Sequence, residues 1–187
     1  MALSRVSKRT FTAAELGVHP DNFSAGAWYS LLSSGIYSLH KDPAASESVI
    51  NIPLPRVQRP DYPTQERLGW ESKYDLNPII KSIEVFYKVT GADLSSAPTA
   101  VLNKQTYPGD TGSGLVSNAA VTQALTFAGV DAIGIASGAD AAGSHIAVVT
   151  LTTPTTYAET EAFVLSLTMN EAATSELDIF GIAISFQ

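Results

Sequence analysis

Apolar and polar residues alternate with a period of two through the second half of the chain. In Ile83-Glu84-Val85-Phe86-Tyr87-Lys88-Val89, one face would carry Ile83, Val85, Tyr87 and Val89, and the other Glu84, Phe86 and Lys88. Neighbouring side chains of a strand point to opposite sides, so this pattern predicts a half-buried strand. Shorter strands are predicted at Ala100–Lys104 and Val121–Phe127. His145–Thr153 sets Ile146, Val148 and Thr150 against Ala147, Val149 and Leu151. Ala162–Met169 puts Phe163, Leu165, Leu167 and Met169 on one face. Leu177–Phe186 places Phe180, Ile182, Ile184 and Phe186 together, with Gly181, Ala183 and Ser185 opposite, and ends the chain at the end of a sheet. Turn chemistry separates these segments: Pro108-Gly109-Asp110, Gly112-Ser113-Gly114, Ser137-Gly138-Ala139-Asp140 and Ala142-Gly143. Short strands with Gly and Pro turns and no interleaved long helix predict an all-β fold. The expected form is an antiparallel β-sandwich, jelly-roll-like, over residues 79–187.

The front of the chain is patterned differently. Residues 1–78 hold Pro20, Pro43, Pro53, Pro55, Pro60, Pro63 and Pro78 of the ten prolines. Each removes a backbone donor and fixes φ, so the stretch from Pro53 to Pro63 is predicted to run extended. Large apolar groups are scattered through it, among them Phe11, Phe23, Trp28, Tyr29, Trp70 and Tyr74, which a disordered linker would lack. The expectation is an extended Pro-rich N-terminal arm with little regular structure, its aromatics buried on its own domain or on a neighbouring subunit. Within it, Ser24–Ser33 is predicted as a short helix. Ser48–Leu54 is predicted as a strand with Ile50, Ile52 and Leu54 on one side.

Charge divides at a similar place. All eleven basic residues lie at or before Lys104, against ten acids there, for a balance of +1. From Gln105 onward there are eight acids and no base, −8, which together make the net −7. A net acidic chain argues against general nucleic-acid binding, since phosphates are met mainly by Lys and Arg. Arg5, Lys8, Arg9, Arg56, Arg59 and Arg67 give the front local positive charge that suits an acidic surface, including the back half of another copy. The 187 residues leave room for a real core, and with no cysteine there is no disulfide or thiolate metal site. Met1–Thr10 has no apolar run behind its basic residues, and no stretch approaches the roughly 20 apolar residues of a membrane helix.

The residues that would carry catalysis do not assemble into a motif. No phosphate-binding loop and no Gly-x-Ser-x-Gly elbow occur, and the histidines are His19, His40 and His145 only. Ser144 and His145 are neighbours on a predicted strand, so they point to opposite faces and cannot form a nucleophile–base couple. His145 is better suited to a strand-end hydrogen bond or an interface role. Asp131, Asp140 and His145 are the candidates for holding an ion, but the ordered spacing of a calcium loop is missing. Glu159 and Glu161 read as a solvated sheet rim. No cofactor is expected.

Ile83 to Val89, Val148-Val149-Thr150-Leu151-Thr152-Thr153-Pro154 and Asp178-Ile179-Phe180-Gly181-Ile182-Ala183-Ile184 carry a resemblance. In style, an extended arm leading into a Cys-free, Thr/Ala/Gly-rich sandwich resembles the small virion structural proteins of tailed bacteriophages, especially those on the head. The resemblance covers residues 79–187. It implies a jelly-roll-like domain, no catalysis, and assembly on a capsid or another part of the virion. The expected partners are the major capsid protein or another virion protein, together with further copies of the chain, a trimer being favoured. The arm's interface is expected at Arg5, Arg9, Phe11, Trp28, Tyr29, Arg56, Arg59 and Tyr62. Proline fixes an extended shape beforehand and lowers the entropy lost on docking. Three competing readings are a neck or tail component, a carbohydrate-binding sandwich using Trp28, Tyr29, Trp70 and Tyr74, and a hydrolase of unrecognised type.

Overall fold

Within the described residues, strands form wherever the sequence alternates with a period of two. The structure, a computed structural model, describes residues 7–16, 28–43, 47–57, 78–106, 117–120, 123–126, 129–130, 136–137, 141–157, 161–170 and 174–187. In chain order the strands are β1 (Ser7–Thr12), β2 (Trp28–Ser33), β3 (Ile36–Lys41), β4 (Glu47–Pro53), β5 (Ile79–Gly91), β6 (Ser96–Thr106), β7 (Ser117–Ala120), β8 (Gln123–Thr126), β9 (Gly129–Val130), β10 (Ala136–Ser137), β11 (Gly143–Thr156), β12 (Glu161–Asn170) and β13 (Ser175–Phe186). A single 3-10 turn, Ala13–Glu15, follows β1, and no α-helix occurs among the described residues.

The expected all-β architecture is present as two antiparallel sheets packed together. The first sheet runs β2-β3-β13-β5-β11-β8, with β1 also paired to β13, and the second runs β4-β12-β6-β7. β9 and β10 form a small separate ladder. Among the eight strands β3, β4, β5, β6, β7, β11, β12 and β13, the first, eighth, third and sixth lie side by side in one sheet. The second, seventh, fourth and fifth lie side by side in the other. The chain therefore crosses repeatedly between layers. Gln187 closes the first sheet by exchanging backbone hydrogen bonds with Ile79, at 2.9 and 3.0 Å.

The stretch expected as an arm, residues 1–78, is described at 7–16, 28–43, 47–57 and Pro78. There it runs as β1 to β4 and the 3-10 turn, and these strands pair into both sheets. The Pro60-to-Pro63 cluster lies outside the described residues. Ile50, Ile52 and Leu54 are buried, as the alternation in Ser48–Leu54 predicts. The helix expected over Ser24–Ser33 is corrected: Trp28–Ser33 is strand β2, and 24–27 lie outside the described residues. Two residues, Ser34 (φ 51°) and Gly35 (φ 80°), turn β2 back onto β3 with Ser33 opposite Ile36. Positive φ at both central positions matches the right-handed twist of a hairpin, which draws Trp28–Ser33 out as strand.

The core lies between the sheets. Ile83, Val85, Tyr87 and Val89 from β5, Ala147, Val149 and Leu151 from β11, and Phe163, Leu165 and Leu167 from β12 belong to one buried cluster. Burying a side chain of this size contributes about 1.5–3 kcal/mol. A corner contact joins the layers where Tyr157 donates from its hydroxyl to the Leu54 carbonyl at 3.0 Å and meets the Phe163 ring edge-on at 4.8 Å. One phase prediction is corrected. Phe180 does not share a face with Ile182, Ile184 and Phe186, because the β13–β5 register slips between Ile179 and Gly181. The extra residue is a β-bulge, so Leu177 and Ile179 stay in phase with Ile182 and Ile184 in the core while Phe180 is left half-exposed.

Candidate interaction surfaces

Alternation gives each sheet an outer face, and the two faces differ in chemistry. On the second sheet the outward positions are Val49, Asn51 and Pro53 of β4, Ala162, Val164, Ser166 and Thr168 of β12, and Thr99, Val101, Asn103 and Gln105 of β6. None of these carries a charge; Glu47, in phase with Val49 in the register, stands at the end of β4 opposite Asn170. Val101 is 45% exposed, a β-branched apolar side chain in the open on a strand that has neighbours on both sides. The polar members are tied across three strands: the Ser166 hydroxyl donates to Asn51 Oδ1 at 2.6 Å and accepts from Asn103 Nδ2 at 3.5 Å. The result is a surface on which Ser166 ties Asn51 of β4 to Asn103 of β6 across the middle strand.

The outer face of the first sheet is charged and networked. Lys8 of β1 reaches over β13 to Glu84 of β5 at 2.6 Å. Asp178 of β13 stands opposite Lys88 of β5 on one side and His40 of β3 on the other. One oxygen of Asp178 accepts from the Ser38 hydroxyl at 2.8 Å and from His40 Nδ1 at 2.9 Å. His40 Nε2 lies 3.5 Å from Asp42, and the Tyr29 ring packs edge-on against His40 at 5.2 Å. Tyr29 donates its hydroxyl to Asp42 at 2.9 Å. That hydrogen bond, followed by burial and the negative charges of Asp42, Glu176 and Asp178, holds the phenol above its ordinary range. Ser38 and His40 share one acceptor and do not bond each other, so the cluster orients the imidazole without making a serine–histidine couple.

The expected site residues separate. Arg9 and Phe11 come together on β1, with the guanidinium 4.9 Å from the ring centre, a cation–π stack. Phe11 and Trp28 are buried in the chain's own core, whereas Arg9, Tyr29 and Arg56 are exposed. Trp28 and Tyr29 are consecutive on β2 and face opposite ways, and the Trp28 indole N–H has no acceptor among the described residues. Arg56 follows β4 and lies over Tyr157 at 5.6 Å, away from the β1 pair in the sheet order. Arg5, Arg59, Tyr62, Trp70 and Tyr74 lie outside the described residues, as do the candidate ion ligands Asp131 and Asp140. His145 is buried at the start of β11, stacked on Tyr87 at 5.1 Å, and its Nε2 donates to the Ala141 carbonyl at 2.6 Å. This is the strand-end hydrogen bond expected of it.

Sequence reasoning missed Ser38, His40 and Asp178 as a unit. The signal that could have found them is Ser34-Gly35 between two apolar-rich segments, a hairpin mark that brings Tyr29 beside His40. No family model matches the chain, and no curated protein matches it.

Proposed function

We propose that this chain is a non-enzymatic structural protein of a bacteriophage virion, which binds and stabilises a capsid or related assembly through its surfaces. The observation that carries this reading is the interleaved strand order, first-eighth-third-sixth over second-seventh-fourth-fifth. Such interleaving is what two nested Greek keys produce, and it supports a jelly roll, an architecture common in viral capsid and lectin domains. The resemblance of residues 79–187 to phage head proteins points the same way.

The uncharged outer face of the second sheet is the surface assigned to the shell. Interface cores are depleted in charge, and polar groups that bond one another, as Asn51, Ser166 and Asn103 do, lose little hydration when covered. The major capsid protein is the partner this favours. Further copies of the chain, in a trimer, are the second partner, with the exposed Arg9 of the front meeting the acidic back half of a neighbour.

The test is to label the purified full chain, weigh it in solution, and image it with virion particles by electron microscopy. Closed oligomers placed regularly on the head are expected. Monomers that never join a particle would contradict the proposal, and specific hits on a glycan array would move the assignment to a lectin.

A further inference from the structure

We propose that the edge of β13 from Gly181 to Phe186 is an exchange site that receives strand β1 from a second copy of this chain. The proposal rests on the assembly reading above and says how copies are joined. The edge of β13 is divided. β3 pairs with it only at Leu177, Asp178 and Ile179, and the remainder is left to β1, in register from Ser7 opposite Phe186 to Thr12 opposite Gly181. The site is cut for that strand. A Cβ at position 181 would collide with the Phe11 carbonyl, so only glycine admits the β1 backbone there. Phe11 then enters the core opposite Ile182.

β1 itself is lightly held. Phe11 is its single buried side chain, Lys8, Arg9, Thr10 and Thr12 are exposed, and β13 is its only strand partner among the described residues. The Lys8–Glu84 ion pair is largely exposed, and pairs of that kind contribute about 0–1 kcal/mol. Residues 17–27 separate Leu16 from Trp28, a length of chain that spans on the order of 40 Å when extended. β1 of one copy can therefore reach the β13 of a neighbour and make there the contacts it makes at home, which is why exchange of identical elements is a low-cost route to an oligomer. A second observation marks the same end of the molecule. The 3-10 turn after β1 lies against β3, and the β2–β3 hairpin leaves Leu32 and Ile36 69% and 59% exposed. A second copy brought in by its donated strand would cover them.

The chain has no cysteine, so introduced thiols report cleanly. Lys8 stands opposite Ser185 in the register. The experiment is the full chain carrying both Lys8→Cys and Ser185→Cys, oxidised and weighed under denaturing, non-reducing conditions, beside the native mass of the parent. Disulfide-linked dimers or trimers as the main product are expected. An oligomer whose disulfides all close within single chains, or whose thiols do not join, overturns strand exchange and leaves the assembly reading standing. A parent that weighs as a monomer and crosslinks only within itself overturns both.

Discussion

The two sheets share one core and diverge at their outer faces. The first sheet carries the Lys8–Glu84 ion pair and the Ser38–His40–Asp178 hydrogen-bond cluster, beside Lys88 and Glu176. The second shows Val49, Val101, Val164 and a Ser/Asn ladder, with no charge among the outward positions of Val49–Pro53, Thr99–Gln105 and Ala162–Thr168. Strand propensity does not explain the contrast, since both faces sit on equally regular strands. On the proposed function, the difference lies in what each face meets. Charged groups keep a face hydrated, whereas a neutral face is inexpensive to cover with another protein.

The largest expected effect comes from moving one residue along β12, from the outer face to the core. Leu165→Ala opens a cavity at a fully buried position and should lower stability by about 2–5 kcal/mol. Ser166→Ala, next along the strand and facing out, should cost no more than about 1.5 kcal/mol, the ordinary worth of a neutral hydrogen bond. Chemical denaturation of both variants checks this, and similar losses at the two positions would erase the distinction between inside and outside on the second sheet.

On the first sheet the comparable break is Asp178→Asn. It replaces the carboxyl group, whose Oδ1 accepts from both Ser38 and His40, with an amide whose oxygen accepts more weakly, and about 1 kcal/mol should be lost. Unfolding midpoints of D178N beside the parent give the answer. No change would mean that this network is surface decoration.

A smaller effect is expected from pH. The Glu15 carboxylate accepts from the Thr12 backbone N–H at 2.8 Å and from its hydroxyl at 2.9 Å. These bonds, the backbone one first, and the Arg9 charge hold its pKa below the ordinary value of 4.5. Its folded-state pKa is depressed, so its contribution is present above 4.5 and is lost as pH falls through the lower folded value. Amide-exchange protection at β1, taken relative to the intrinsic rate at each pH, should therefore fall on acidification in that window, and less so in Glu15→Gln. Equal acid sensitivity in both would remove Glu15 as the cause.

Much of this was legible in the chain because burial on one side imposes a period of two. Ile83 to Val89 and Phe163 to Leu167 fall where alternation puts them. Where local pattern and tertiary pairing disagree, sequence fails for identifiable reasons. Trp28, Leu31 and Leu32 have the spacing of one helix face, but pairing with Ile36–Lys41 makes them strand. Beyond Ile179 the alternation slips because Phe180 bulges, and Gly181 beside it was the visible mark. The neutral outer face was harder to see. Val49, Val101 and Val164 are far apart in sequence, and only the β4-β12-β6 register makes them one surface. From sequence, Phe11 and Trp28 are open to burial on their own domain or on a neighbouring subunit, because nothing in their own segments reveals that β13 and β3 lie beside them.

The most direct measurement places the same charge on each face in turn. Val101→Glu and Thr150→Glu both alter exposed outward positions, one on the neutral sheet and one on the charged sheet. Binding of each labelled full chain to capsids assembled without it should weaken at least about tenfold for Val101→Glu, equivalent to about 1.4 kcal/mol, and stay at the parental level for Thr150→Glu. Equal binding by the two variants, or a loss confined to Thr150→Glu, would contradict the assignment of the uncharged face to the shell.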